Sequence, residues 1–249
     1  MKIGVFDSGI GGLSVVQEMV KLNLPVEIHY IADHAYAPYG NKLDIEIHTR
    51  AEKITKELEQ RGCELIVIAC NTATAAAIDY LRQTFKLPFV GVEPYLNVIH
   101  QRPIKPNEKF GVLSTKFTAE SKRFEKLKER LDPKNSIHSF SSANLAALIE
   151  EAFAVKDLSP YKSAIAQELL PIIEKKITHL VLGCTHYPLI SNYLTEITKA
   201  EMISTGANLA KRVESLLTSV TQISGELYFK STKNDRWEKK PLDWIHLSC

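Results

Sequence analysis

Residues 64–77 read ELIVIACNTATAAA. The apolar run Leu65–Ala69 carries no polar alternation, which fits a strand covered on both faces, as in a parallel sheet. It stops at Cys70, and Asn71-Thr72 open a stretch of small residues suited to a helix start. A buried strand running straight into a helix is half of a βαβ unit.

The same alternation extends in both directions. Strands are predicted at KIGVF (2–6), VEIHYIA (26–32), ELIVIA (64–69), FVGV (89–92), KFGVL (109–113), SIHSF (136–140), THLVLG (178–183) and EMIS (201–204). Between them, Ile47, Ala51, Ile54 and Leu58 form one apolar helical stripe, and Ile165, Leu169, Ile172 and Ile173 form another. The expected class is therefore α/β with mainly parallel sheets. The chain also repeats itself: KIGVFDSG from residue 2 resembles KFGVLSTK from 109, and ELIVIACNT from 64 resembles THLVLGCTH from 178. Two such pairs in one order point to two similar α/β domains. A seam is expected at HQRPIKPNEK (100–109), where two prolines and mixed charge interrupt the pattern.

Composition narrows the class further. A chain of 249 residues, 45% apolar and 24% charged, can bury one large core or two smaller ones. The formal charge of +2 is too small to argue for nucleic acid, and KSTKNDRWEKK (230–240) reads as solvated surface. No apolar run reaches membrane-spanning length, so no membrane association is expected. MKIGVFDSG enters a strand at once and leaves no room for a signal peptide, so the expected location is cytoplasmic. Cysteines at 63, 70, 184 and 249 lack CxxC spacing and are read as free thiols, with no metal site and with Cys249 fraying at the end.

Ligands of parallel α/β sheets bind beyond the carboxyl ends of strands. Three loops there carry unusual residues: Asp7-Ser8 followed by a glycine-rich turn (DSGIGG, 7–12), Cys70-Asn71-Thr72, and Cys184-Thr185-His186. Helix-start N–H groups can hold a carboxylate and lower a thiol pKa, while Ser, Thr and Asn add neutral donors. A small anionic substrate fits. Taken singly, a cysteine at a strand end is most often a small buried hydrophobe and a lone His a satisfied one. Cys70 and Cys184 differ because they occupy equivalent places in two repeated units. The glycine loop also has a dinucleotide-binding reading, with Asp33 as ribose acid, but Asp7 beside a pyrophosphate and Ser14 at the third glycine oppose it. Two thiols facing one carbon acid can take a proton from one side and return one to the other, inverting the centre without a cofactor. Asp7 and a carboxylate or imidazole near the second cysteine would tune the pair.

FDSGIGGLSV (6–15), APYG (37–40), IACNTATA (68–75), VGVEP (90–94), LIEE (148–151) and LGCTHYPLI (182–190) together resemble the cofactor-independent glutamate racemases of the aspartate/glutamate racemase superfamily. The resemblance implies two α/β domains in pseudo-twofold relation, divided here as 1–98 with 207–249 and 99–206, with the site in the cleft. It implies Cys70 and Cys184 as the acid/base pair, acting on D- and L-glutamate respectively. Asp7 would assist Cys70, and Glu150, with Glu151 an alternative, and His186 would assist Cys184. Substrate contacts would come from Ser8, Pro38, Tyr39, Gly40, Asn71, Thr72, Thr115, Thr118 and Thr185. No pyridoxal phosphate or metal is implied; the product would feed peptidoglycan synthesis, and a homodimer is the assembly considered. The chain departs from the family at Ala35-Tyr36, where an arginine usually precedes Pro-Tyr-Gly, so a cation is expected to be missing near the entrance. Its C-terminal FKSTKND also departs from the family pattern. An aspartate-type racemase, a related decarboxylase and a non-catalytic amino-acid-binding protein are the competing readings.

Overall fold

A computed structural model describes residues 1–94, 96–100, 104–217 and 225–245. Cys249 and positions 101–103 of the expected seam lie outside the described residues. The first half runs β1 (Lys2–Asp7), α1 (Leu13–Lys21), β2 (Glu27–Ala32), α2 (Asp44–Gln60), β3 (Leu65–Ile68), α3 (Asn71–Thr84), β4 (Phe89–Gly91). The chain continues through β5 (Phe110–Thr115), α4 (Lys116–Glu120), α5 (Lys122–Leu131), β6 (Ile137–Ser142) and α6 (Leu145–Val155). Then follow α7 (Lys162–Glu168), α8 (Leu170–Lys175), β7 (His179–Gly183), α9 (Ser191–Thr198) and β8 (Glu201–Ser204). Last come α10 (Gly206–Glu214), β9 (Glu226–Ser231) and β10 (Arg236–Lys240).

Among the described residues ten strands form two sheets, ordered β10-β9-β2-β1-β3-β4 and β6-β5-β7-β8. Every pairing is parallel except that of β9 with β10. The opening stretch shows why the first sheet is covered on both faces. Leu65 and Val67 of β3 enter a core with Val15, Val16 and Met19 of α1 and Leu209 and Val213 of α10. Ile66 and Ile68 enter the opposite core with the α2 stripe and Ala77, Ile78 and Leu81 of α3. The period of two therefore feeds both layers, each buried Leu or Ile contributing roughly 1.5–3 kcal/mol.

The two sheets share one winding: the second strand of each set lies outside the first, and the third and fourth lie on its other side. Ligand crevices form where that order reverses, between β1 and β3 and between β5 and β7. Asp7 ends β1 and Cys70 follows β3, while Thr115 ends β5 and Cys184 follows β7. The repeated motifs thus stand at equivalent switch points.

Three differences from expectation have physical causes. The second apolar stripe is broken into α7 and α8, because Pro171 near the start of α8 cannot continue the preceding helix. The 230–240 segment is largely solvated, yet it also supplies the end of β9 and all of β10; its strand character was hidden by charge on an exposed edge. Leu96, ahead of the 100–109 stretch, already packs with Phe110, Val112 and Val181 of the second sheet's core. No helix among the described residues is long and apolar enough to cross a membrane.

Candidate active site

Asp7 is fully buried. Its Oδ1 accepts from the Gly9 N–H at 2.8 Å and from Ser8 Oγ at 3.3 Å, and its Oδ2 accepts from Thr185 Oγ1 at 2.8 Å. The Ser14 hydroxyl donates to the Thr185 carbonyl at 2.9 Å, so the loop after β1 is tied directly to the loop after β7. Burial pushes the Asp7 carboxyl up to about 6, against the lowering effects of His186, the Gly9 N–H and Thr185.

Cys70 caps α3, its Sγ accepting from the Ala73 N–H at 3.4 Å and lying 3.8 Å from Ser8 Oγ. The expected lowering of its pKa is overturned. Burial, then the Asp7 carboxylate, push the thiol well above its ordinary value, and the backbone hydrogen bonds from Ala73 and Ser8 do not compensate. Cys184 Sγ lies 3.8 Å from His186 Nδ1, and His186 Nε2 lies 2.6 Å from Glu150 Oε2. Burial opposes charge on His186, but hydrogen bonds to Cys184 and Glu150 outweigh it and raise the pKa well above the usual histidine value. The same contest in Glu150 ends the other way: His186 and His34 overcome burial and hold the carboxyl well below its ordinary range. Glu150, rather than Glu151, makes the hydrogen bond to His186. Cys63, Cys70 and Cys184 are free thiols.

The glycines of the loop after β1 serve to make room. None of Gly9, Gly11 and Gly12 has a positive φ. A Cβ on Gly9 would instead overlap the Glu150 carboxylate, and one on Gly11 the His186 imidazole. Gly9 and Gly11 thus admit Glu150 of α6 and His186 of the loop after β7. Asp33, the acid of the dinucleotide reading, is fully buried and occupied by Arg50, the Tyr39 hydroxyl and Thr232.

These loops enclose a cavity of about 240 Å³ lined by Ser8, Pro38, Tyr39, Gly40, Cys70, Asn71, Thr72, Thr115, Glu150, Cys184, Thr185 and His186. Two expected residues stand behind that lining. Asp7 supports it as described, and Thr118 hydrogen-bonds Thr115 at 3.0 Å and Thr72 at 3.5 Å. Thr72 and Thr115 meet at 3.0 Å, joining the two sheets' loops. Both amide atoms of buried Asn71 lack a protein partner. A wider groove of about 760 Å³ along Asp44, Phe117 and Arg123 holds neither Cys70 nor Cys184, so the chemistry belongs to the smaller cavity.

Besides alanines such as Ala143, Ala146 and Ala147, sequence reasoning missed two polar lining residues, His34 and Lys233. His34 Nε2 pairs with Glu150 Oε1 at 2.8 Å. The expectation of no cation near the entrance is corrected by Lys233, which reaches the cavity from the turn between β9 and β10. Tyr36 instead stacks on Arg50, 4.0 Å from ring centroid to guanidinium carbon. Neither addition had a motif to reveal it, since both depend on β9 lying beside β2.

Residues 3–213 match the family model for Asp/Glu/hydantoin racemases. A glutamate racemase of Aliarcobacter butzleri is 40% identical over 225 residues, covering 87% of this chain and 84% of that protein. Among solved structures, Escherichia coli glutamate racemase in complex with L-glutamate and the activator UDP-MurNAc-Ala aligns with a TM-score of 0.81. It is 28% identical, over 98% of this chain and 91% of that one. Francisella tularensis glutamate racemase in complex with D-glutamate aligns with a TM-score of 0.73 at 30% identity, covering 93% and 88%. The chain belongs to the Asp/Glu/hydantoin racemase family, and it is an amino-acid racemase.

Proposed function

We propose that this member of the Asp/Glu/hydantoin racemase family interconverts L- and D-glutamate by two-thiol proton transfer in the cytoplasm, supplying D-glutamate for peptidoglycan. The observation that carries the reading is the convergence of two buried thiols, each with its own carboxylate system, on one small cavity. In this reading the chain divides as 1–98 with 207–249 against 99–206, Cys70 belonging to the first lobe and Cys184 to the second. Cys184 as thiolate takes the α-proton of L-glutamate while the Cys70 thiol protonates the opposite face; D-glutamate reacts in reverse. No other bond need break, so the amino acid leaves with one stereocentre inverted.

Burial of Cys70 shows what substrate must supply. A thiolate there is disfavoured by desolvation and by Asp7. The α-ammonium of a bound amino acid brings the compensating positive charge into the cavity. Asn71, Thr72 and Ser8 offer the donors and acceptors for the α-carboxylate and ammonium, and Thr115 and Thr185 extend that set across the cleft. The test is proton NMR of L-glutamate in D₂O with chiral analysis of the product, aspartate serving as comparison. Loss of the α-proton signal with D-glutamate appearing supports the reading, whereas neither exchange nor inversion refutes it. Cys70→Ala and Cys184→Ala are each expected to lower kcat by about 10²–10⁴-fold or more, with unchanged circular dichroism. Full turnover by either variant would remove the two-thiol mechanism.

A further inference from the structure

A two-thiol racemase ends each turnover with its protons on the wrong sulfurs. After L-glutamate becomes D-glutamate, Cys184 carries the substrate's proton and Cys70 has lost its own. Another L-glutamate can react only after Cys184 has released a proton and Cys70 has taken one up. Cys184 is buried, so the means of release is a structural question.

A continuous polar path leads away from it. Cys184 Sγ faces His186 Nδ1 at 3.8 Å, His186 Nε2 meets Glu150 Oε2 at 2.6 Å, and Glu150 Oε1 meets His34 Nε2 at 2.8 Å. His34 Nδ1 then meets Ser231 Oγ at 2.8 Å, at the end of β9. Side-chain accessibility is 6% at His186, 23% at Glu150 and 16% at His34, so the path leaves the buried thiol for the partly open outer pair. The Ile10 N–H also donates to Glu150 Oε2 at 3.1 Å, holding the ionised carboxylate between the two imidazoles until it takes up a proton.

We propose that His34 is the outer relay of the Cys184 thiol, carrying its proton between Glu150 and solvent when the free enzyme resets between turnovers. The inference rests on the racemase reading above. The charged His186 gives its Nε2 proton to Glu150 as its freed Nδ1 takes the thiol proton; rotation of the carboxyl presents the Glu150 proton to His34 Nε2, and His34 Nδ1 releases one outward. One proton leaves sulfur, one reaches solvent, and only S–H, N–H and O–H bonds exchange. For D-glutamate the path runs inward. His34 touches no reacting atom and acts through Glu150, so it is a positioning and relay residue.

The test compares wild type, His34→Gln and His34→Ala in non-transferring buffer, then with added imidazole. Glutamine can hydrogen-bond Glu150 but cannot carry the proton. Resetting follows product release, so its loss should lower kcat by about tenfold or more while leaving kcat/KM nearly unchanged. Imidazole should restore kcat in both variants and leave wild type unaffected. An unchanged kcat in His34→Gln overturns the relay, as does a parallel fall in kcat and kcat/KM without imidazole rescue, which would mark His34 as only a prop for Glu150. Wild type failing to racemise glutamate would instead remove the parent reading, and the inference with it.

Discussion

Asp7 shows how one buried carboxyl couples the site to stability. Its pKa stands at about 6 in the folded chain against 3.8 for an unhindered aspartate, with burial the main cause. Between those values the folded state holds the proton and the unfolded state does not, so Asp7 makes the protein less stable as pH rises through that window. The span corresponds to about 3 kcal/mol, fully expressed above pH 6. Asp7→Asn should remove this component, flattening the urea-derived stability between pH 4 and 6 relative to wild type. Equal slopes for both proteins would contradict the buried, proton-holding carboxyl. Asp7 was legible in sequence as the polar end of an apolar strand, as were both cysteines. What could not be read was the balance at Cys70, because the helix-start donor is local while the opposing burial and Asp7 charge arise only when loops converge.

Gly62, between α2 and β3, and Gly11, in the loop after β1, show two uses of glycine. Gly62 has a φ of +81° with open space around its Cα, whereas Gly11 has room for no side chain because His186 lies against it. Gly62→Ala should therefore cost about 1 kcal/mol of stability through backbone strain and leave kcat intact. Gly11→Ala should displace His186, costing roughly 1–3 kcal/mol through overpacking and lowering kcat at least about tenfold. Similar activity losses in the two variants would refute the packing role. The β9–β10 hairpin makes a second case. Lys233 at its turn contributes the one Lys or Arg side chain among the described cavity-lining residues. Lys233→Ala should raise KM for glutamate on the order of fivefold with little change in kcat, an effect that shrinks as salt increases. Parallel strands with apolar runs were legible in the sequence; β10, RWEKK, was not, because an exposed edge strand obeys solubility before periodicity.

Across the whole molecule, the cleft is held by few direct links, notably Asp7 with Thr185, Ser14 with the Thr185 carbonyl, Glu150 with the Ile10 N–H, and Thr72 with Thr115. The repeat at residues 2 and 109 and at 64 and 178 made both halves visible in sequence, since each copies the same strand-to-loop step. The joining of the halves was less visible, because α10, β9 and β10 return to the first sheet through contacts far apart along the chain. A ligand seated between the halves adds bonds to both, and one held at 100 times its Kd stabilises the folded state by about 2.7 kcal/mol. For a chain of this size that corresponds to a rise in Tm of roughly 5–10 °C. Asn71 should mediate much of it, since its buried amide atoms have no protein partner. An unpaired buried polar group costs about 1–3 kcal/mol, so its removal need not weaken the protein alone. Asn71→Ala is therefore expected to keep or raise the Tm without glutamate and to lose most of the glutamate-dependent rise in thermal melts. A lowered Tm without ligand together with an undiminished rise would assign Asn71 to the fold instead of to recognition.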